Sequence, residues 1–230
     1  MLEVYLVRHG KTVFNTIGRL QGWSDSPLTD EGRAAAAALG CRMGKQEIAF
    51  DAAFSSTAPR AAETAGLILQ QAGQGGLAVR QLSDLREYCF GGFEGEFTHV
   101  LYQKLAEQNG FPDAAAFQTA FRRADRHLLA EAVAEADPLA LAENEERFTA
   151  RTRRALEQIA RESADCRRVL AVSHGMTITA ILKSIDRKAI EYRSVPNVSV
   201  SRLTLSDGFW HIASIEKSRE IGRASCRERV

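Results

Sequence analysis

A chain of 230 residues, 45% hydrophobic and 26% charged, can bury a substantial core as one large domain, alone or with a subdomain. Its net charge of +1 makes no general case for nucleic acid or a membrane surface, so anion binding must come from locally placed Arg and His. No run approaches the roughly 20 apolar residues that span a bilayer, and no basic-then-apolar leader precedes the first apolar run. Cys41, Cys89, Cys166 and Cys226 form no Cys-x-x-Cys pair. The expectation is a cytoplasmic protein with reduced thiols.

Residues 4–7 form a short apolar run that reads as a buried strand. Residues 15–30, rich in Gly, Ser, Asp and Pro, read as a loop. Thr29 or Asp30 caps an alanine-rich helix over residues 31–43, with Gly44 as its stop. Residues 52–55 are a second strand, and Pro59 opens a helix through Leu69 that the glycines of residues 73–76 break. Residues 78–82 alternate as a third strand. From Thr98 to about Ser163 the composition is helical, punctuated into three pieces by Gly110, Pro112 and Pro138. A fourth strand, Val169-Leu170-Ala171-Val172, leads into a helix over residues 176–185. Two apolar runs, residues 198–205 and 209–215, flank the hairpin signal Ser206-Asp207-Gly208.

Strands alternating with helices imply right-handed crossovers. The expected fold class is α/β, a three-layer sandwich: a mainly parallel central sheet, helices on both faces, and a helical cap insertion over about residues 93–140. The expected organisation is one domain over residues 1–215. Residues 216–230 are polar and aperiodic, and read as an unstructured or foreign tail.

Ligands of such sheets bind at the carboxyl ends of the strands. After the first strand come Arg8, His9 and Gly10; after the second, Ser55, Ser56 and then Arg60; after the third, Arg86 and Glu87; after the fourth, Ser173, His174 and Gly175. Arg offers a fork of donors that suits phosphate. A neutral His is a nucleophile near pH 7. Four strand ends thus bring three Arg, two His and a Glu toward one place.

Two stretches carry a resemblance: Arg8-His9-Gly10-Lys11-Thr12-Val13-Phe14-Asn15, and Gly18-Arg19-Leu20-Gln21-Gly22-Trp23-Ser24-Asp25-Ser26-Pro27-Leu28-Thr29. Together they resemble the signature of the histidine phosphatase superfamily, the phosphoglycerate mutase-like family. Ser55-Ser56-Thr57-Ala58-Pro59-Arg60 is similar to its second-arginine block, Leu85-Arg86-Glu87 to its acid block and Ser173-His174-Gly175 to its second-histidine block. The resemblance implies that His9 attacks phosphorus and becomes a phosphohistidine. Arg8, Arg60, His174 and Asn15 would surround the phosphoryl oxygens, and Glu87 would be the acid and base. Gln21 and Gly22 would be substrate-side contacts.

Glu94 is the competing acid, taken instead as the glutamate before the glycine of the same block. The spacing of His99, His127 and His211 suits no metal, so they read as structural or surface residues. Trp23 and Trp210 read as packing. Arg122-Arg123 reads as a solvated helix face, with a secondary contact to an acidic substrate as the alternative. Two arginines and two histidines can neutralise charge without a metal, and no cofactor is expected. The leading reading is therefore a phosphomonoester hydrolase acting on a small phosphorylated metabolite. A phosphoglycerate mutase is the alternative. It is disfavoured because that branch carries Glu-Arg-His-Tyr-Gly at the acid block, where this chain has Glu87-Tyr88-Cys89-Phe90-Gly91. A catalytically silent binder of phosphorylated ligands is the third reading.

Overall fold

Strand β1 (Leu2–Arg8) runs through the interior of a six-stranded sheet of order β3-β2-β4-β1-β5-β6 in the computed structural model, which describes residues 1–216. Strands β2 (Ala52–Ser56), β3 (Val79–Leu82) and β4 (Arg168–Ser173) pair in parallel with one another and with β1, and the hairpin of β5 (Val200–Ser206) and β6 (Phe209–Ile215) adds the antiparallel edge. Period-two side-chain alternation divides the strands between two cores. Val4 and Leu6 face one cluster with Ile178 and Ile181, while Tyr5 and Val7 face another with Leu39 and Ile68. Helices α1 (Val13–Ile17), α2 (Asp30–Lys45) and α3 (Pro59–Gln71) precede β3. Between β3 and β4 lie α4 (Thr98–Gln108), α5 (Ala114–Arg123), α6 (Leu128–Ala136) and α7 (Glu145–Glu162), and α8 (Gly175–Ile185) follows β4. The α/β sandwich with helices on both faces is the architecture expected from the sequence.

A third apolar cluster joins α4, α5 and α6 to the sheet end through Leu101, Leu105, Phe117, Phe121 and Val133 on one side and Tyr88, Phe90 and Met176 on the other. These helices therefore cover the carboxyl ends of the strands, which is what places a cavity there.

Several local expectations are corrected. Residues 13–17, which overlap the start of the loop expected over 15–30, form α1, nucleated by a capping box between Thr12 and Asn15. Gly44 does not stop α2, which continues to Lys45; Gly40 and Gly44 instead let α3 approach, because a Cβ at Gly40 would lie 2.3 Å from the Ile68 carbonyl oxygen. The helical block has four pieces rather than three. The unforeseen break falls at residues 124–127, where His127 caps α6 by accepting from the Ala130 N–H, and neither Gly nor Pro marks the place. Strand β5 starts at Val200 rather than at Val198, whose φ is +58°. The hairpin turn holds both Asp207 and Gly208 at positive φ, as a two-residue turn of this sequence demands. The expected tail, apart from Glu216, lies outside the described residues.

Ile178, on α8 and fully buried in the cluster it forms with the sheet, tests the packing on that face. Ile178→Ala is expected to lower unfolding free energy by about 2–5 kcal/mol in urea denaturation. A loss well under 1 kcal/mol would contradict this packing.

Candidate active site

Parallel pairing of β1 with β4 sets Arg8 opposite Ser173, and the His9 N–H donates to the Ser173 carbonyl at 2.9 Å. His9 and His174 therefore leave adjacent strands together, with ring centroids 5.1 Å apart. His9 Nδ1 lies 2.7 Å from the Gly10 carbonyl oxygen. A carbonyl only accepts, so Nδ1 carries the proton and Nε2 keeps its lone pair. Burial first, and then the Arg8 and Arg60 guanidinium groups, hold His9 well below the usual histidine value. His9 is thus a neutral imidazole with a defined nucleophilic atom.

His174 is also held well below the usual value, again by burial and then by Arg60, His9 and Arg8. Its Nε2 lies 2.8 Å from Ser56 Oγ, which already accepts from the Ala58 N–H. The Ser56 hydroxyl has no other acceptor among the described residues, so it donates to Nε2 and leaves the proton on Nδ1. That Nδ1 is buried and has no partner; the same holds for Arg8 Nε and Arg60 Nε. An unmatched buried donor costs about 1–3 kcal/mol. Three of them together describe a place built for an anion.

Arg8 donates through NH1 to the Val195 carbonyl at 2.5 Å, and burial pulls it down to about 10. Arg60 is held more tightly. NH1 donates to Asp25 Oδ1 (2.5 Å) and the Ser24 carbonyl (3.0 Å), while NH2 donates to the carbonyls of Gly22 (2.8 Å) and Gln21 (3.4 Å). Only its Nε is uncommitted.

The Glu87 carboxylate lies across the amino end of α8. It accepts from the Met176 N–H (3.1 Å), the Thr177 N–H (3.0 Å) and the Tyr88 N–H (3.0 Å), while the Thr177 hydroxyl beside it donates to the Arg86 carbonyl (2.7 Å). Glu87 thus supplies the acceptor that His174, at the cap position, does not give. Arg151 on α7 fixes the segment behind it by donating to the Asp84, Arg86 and Glu87 carbonyls, while a buried pair with Glu143 holds Arg151. Glu94, the competing acid, accepts instead from the N–H groups of Gly22, Trp23, Ser24 and Phe90 and from the Ser24 hydroxyl. It ties down a loop.

A cavity of about 450 Å³ opens over these groups. Arg8, His9, Asn15, Gln21 and Glu87 line it; Arg60 and His174 are buried beside His9 but not among the lining residues. Asn15 Oδ1 is taken by the Thr12 N–H and Asn197 Nδ2, which leaves its amide donors for a ligand. Gln21 is engaged by Thr12 and Ser26. Gly22 lies outside the lining, with its N–H on Glu94. A Cβ there would meet the Tyr88 carbonyl oxygen at 2.1 Å, so this glycine serves close packing.

Sequence reasoning did not single out the amino end of α8, Ser56 as the partner of His174, Asn197, Arg151, or the lining residues Arg19 and Arg193. Arg122 also lines the cavity, as the alternative reading of the Arg122-Arg123 pair allowed. Trp23 is half exposed and does more than pack, since its Nε1 donates to the Glu87 carbonyl at 3.1 Å.

The histidine phosphatase superfamily (branch 1) model matches residues 4–218. The chain belongs to this superfamily. It is similar to the phosphoglycerate mutase of Bacillus anthracis str. Sterne, with 33% identity, a TM-score of 0.84, and coverage of 93% of this chain and 92% of that one. A 2,3-bisphosphoglycerate-dependent phosphoglycerate mutase of Borreliella burgdorferi (strain ZS7) is 26% identical over 199 residues, 83% of this chain and 80% of the relative. A phosphoserine phosphatase mutant from Entamoeba histolytica, solved with phosphoserine, shares the fold at 18% identity and a TM-score of 0.68, covering 97% of this chain and all of that one. No helix among the described residues is long and apolar enough to cross a membrane.

The lowered histidines fix how stability depends on pH. His9, His174 and His127 bind protons less readily folded than unfolded, and His127 is pulled down to about 4 by burial. Below about pH 6.5 the unfolded chain therefore takes up more protons, and the stability present above that pH is lost as pH falls. Urea denaturation is therefore expected to show lower stability at pH 5.5 than at pH 7.5. Equal stability at the two pH values would contradict neutral burial of these rings.

Proposed function

We propose that the protein is a metal-independent phosphomonoester hydrolase that works through a phosphohistidine on His9 and takes a small phosphorylated metabolite. The observation that carries this reading is the fixed tautomer of His9, with Nε2 free, beside the three unmatched donors of Arg8, Arg60 and His174. Nε2 attacks phosphorus in line, the phosphorus–oxygen bond to the substrate breaks, and Glu87 gives the leaving oxygen its proton. Glu87 then takes a proton from water as that water attacks the phosphohistidine, releasing inorganic phosphate and restoring His9. Arg8, Arg60, His174 and Asn15 stabilise charge on the phosphoryl oxygens. Gln21 supports the substrate side from the cavity wall, while Gly22 acts through the packing of its loop.

Phosphoglycerate mutase is the second reading, and the 33% identity to the Bacillus anthracis enzyme favours it. What supports hydrolysis is the acid block. Tyr88 and Cys89, where the mutase branch has Arg and His, are buried: Tyr88 packs edge-on against Phe90 and Phe148, and the Cys89 N–H donates to Glu143. Neither reaches the cavity to hold an acidic substrate.

His9→Ala is expected to abolish turnover of p-nitrophenyl phosphate, and Glu87→Gln to lower kcat by about 10²–10⁴-fold, whereas Glu94→Gln acts mainly on stability. Retained turnover in His9→Ala would sink the nucleophile assignment. A coupled assay in which phosphoglycerate isomerisation outruns phosphate release would make the protein a mutase.

A further inference from the structure

A second cavity, of about 460 Å³, lies between α7, the last turn of α8 and the turn before α6, and shares no lining residue with the first. Its wall carries Arg126, Arg153, Lys183 and Arg187. None of the four is within ion-pair distance of an acid among the described residues. Two acids, Asp125 and Glu145, also line it, and Asp186 and Glu191 act on Lys183 from beside the wall, so the cations outnumber the acids among the lining residues alone. Glu145 is already engaged, since its Oε1 accepts from the His127 N–H at 2.9 Å and the Tyr192 hydroxyl at 3.4 Å. Lys183 Nζ donates to the Arg187 carbonyl and sits 4.3 Å from the Tyr192 ring centre, which places its charge against the wall rather than out in solvent.

His127 supplies an independent observation. It lines this cavity while only 2% exposed. Its Nδ1 accepts the Ala130 N–H at 3.1 Å, so in the neutral ring the proton is on Nε2. That Nε2 N–H is buried and has no partner. A buried donor without an acceptor, on a residue that borders a cavity lined by four cations outside ion pairs, suits an acceptor that carries negative charge. Arginine forks and an N–H suit phosphoryl oxygens better than a single carboxylate, because phosphate offers several acceptors at once.

We propose that this cavity is a second anion site that binds a small phosphate-bearing molecule through Arg126, Arg153, Lys183, Arg187 and His127 Nε2, separately from the His9 cavity. It depends on no assumption about the reaction at His9.

The test uses the full chain labelled with ¹⁵N-histidine and inorganic phosphate as probe, read by NMR of the imidazole nitrogens. In the unsubstituted protein the His127 resonances are expected to move saturably with phosphate. In the double variant Arg153→Ala/Arg187→Ala, both positions exposed, the apparent affinity read at His127 should fall about tenfold or more. The His9 response and turnover of p-nitrophenyl phosphate should stay unchanged. His127 resonances that do not move, that move equally in the double variant, or that respond as strongly to chloride at equal ionic strength would each overturn the proposal.

Discussion

Parallel, in-register pairing of β1 with β4 is the constraint on which the site depends. It sets Arg8 against Ser173, so that the two residues that follow, His9 and His174, emerge side by side under the covering helices. Burial there makes both rings neutral, and two buried guanidinium groups keep them so. Cations that oppose protonation of a nucleophile also await an anion. The same arrangement thus keeps Nε2 of His9 unprotonated and suits the anionic group that it is proposed to attack. Slipping either strand by one residue would turn an imidazole to the opposite face and dissolve the pair.

The surrounding residues hold this geometry by using backbone groups that the fold leaves over. The amino end of α8 lacks a side-chain cap, and Glu87 from another segment fills that need, so the group proposed as acid and base also satisfies a helix end. Arg151 and Glu143 lock the chain behind Glu87 from α7. Glu94 gathers four backbone N–H groups and holds the loop whose carbonyls grip Arg60. Two carboxylates seven residues apart therefore have different tasks because their neighbours differ.

Much of this was legible in the sequence for a physical reason. Buried strands are short apolar runs, and polar residues just past their ends stand out. Arg8, His9, Glu87 and His174 could be read that way, and Arg60 from the first turn of the helix after β2. The break between α5 and α6 could not, because His127 caps α6 with a side chain and no Gly or Pro punctuates the turn. Nor could the lining role of Arg19 and Arg193, or the grip of the 21–25 segment on Arg60, since these arise where distant segments meet. The local sequence gives no sign that a Gly22 side chain would strike the Tyr88 carbonyl.

The central claim is that one identified atom, His9 Nε2, accepts the phosphoryl group, because Nδ1 is bound to the Gly10 carbonyl. It is tested most directly by quenching the protein during turnover of a phosphomonoester at alkaline pH and determining, by ³¹P NMR and peptide mapping, which atom carries phosphate. Phosphate on Nε2 of His9 is the predicted result. Phosphate on Nδ1 of His9, on His174, or on no histidine while turnover proceeds would contradict the account.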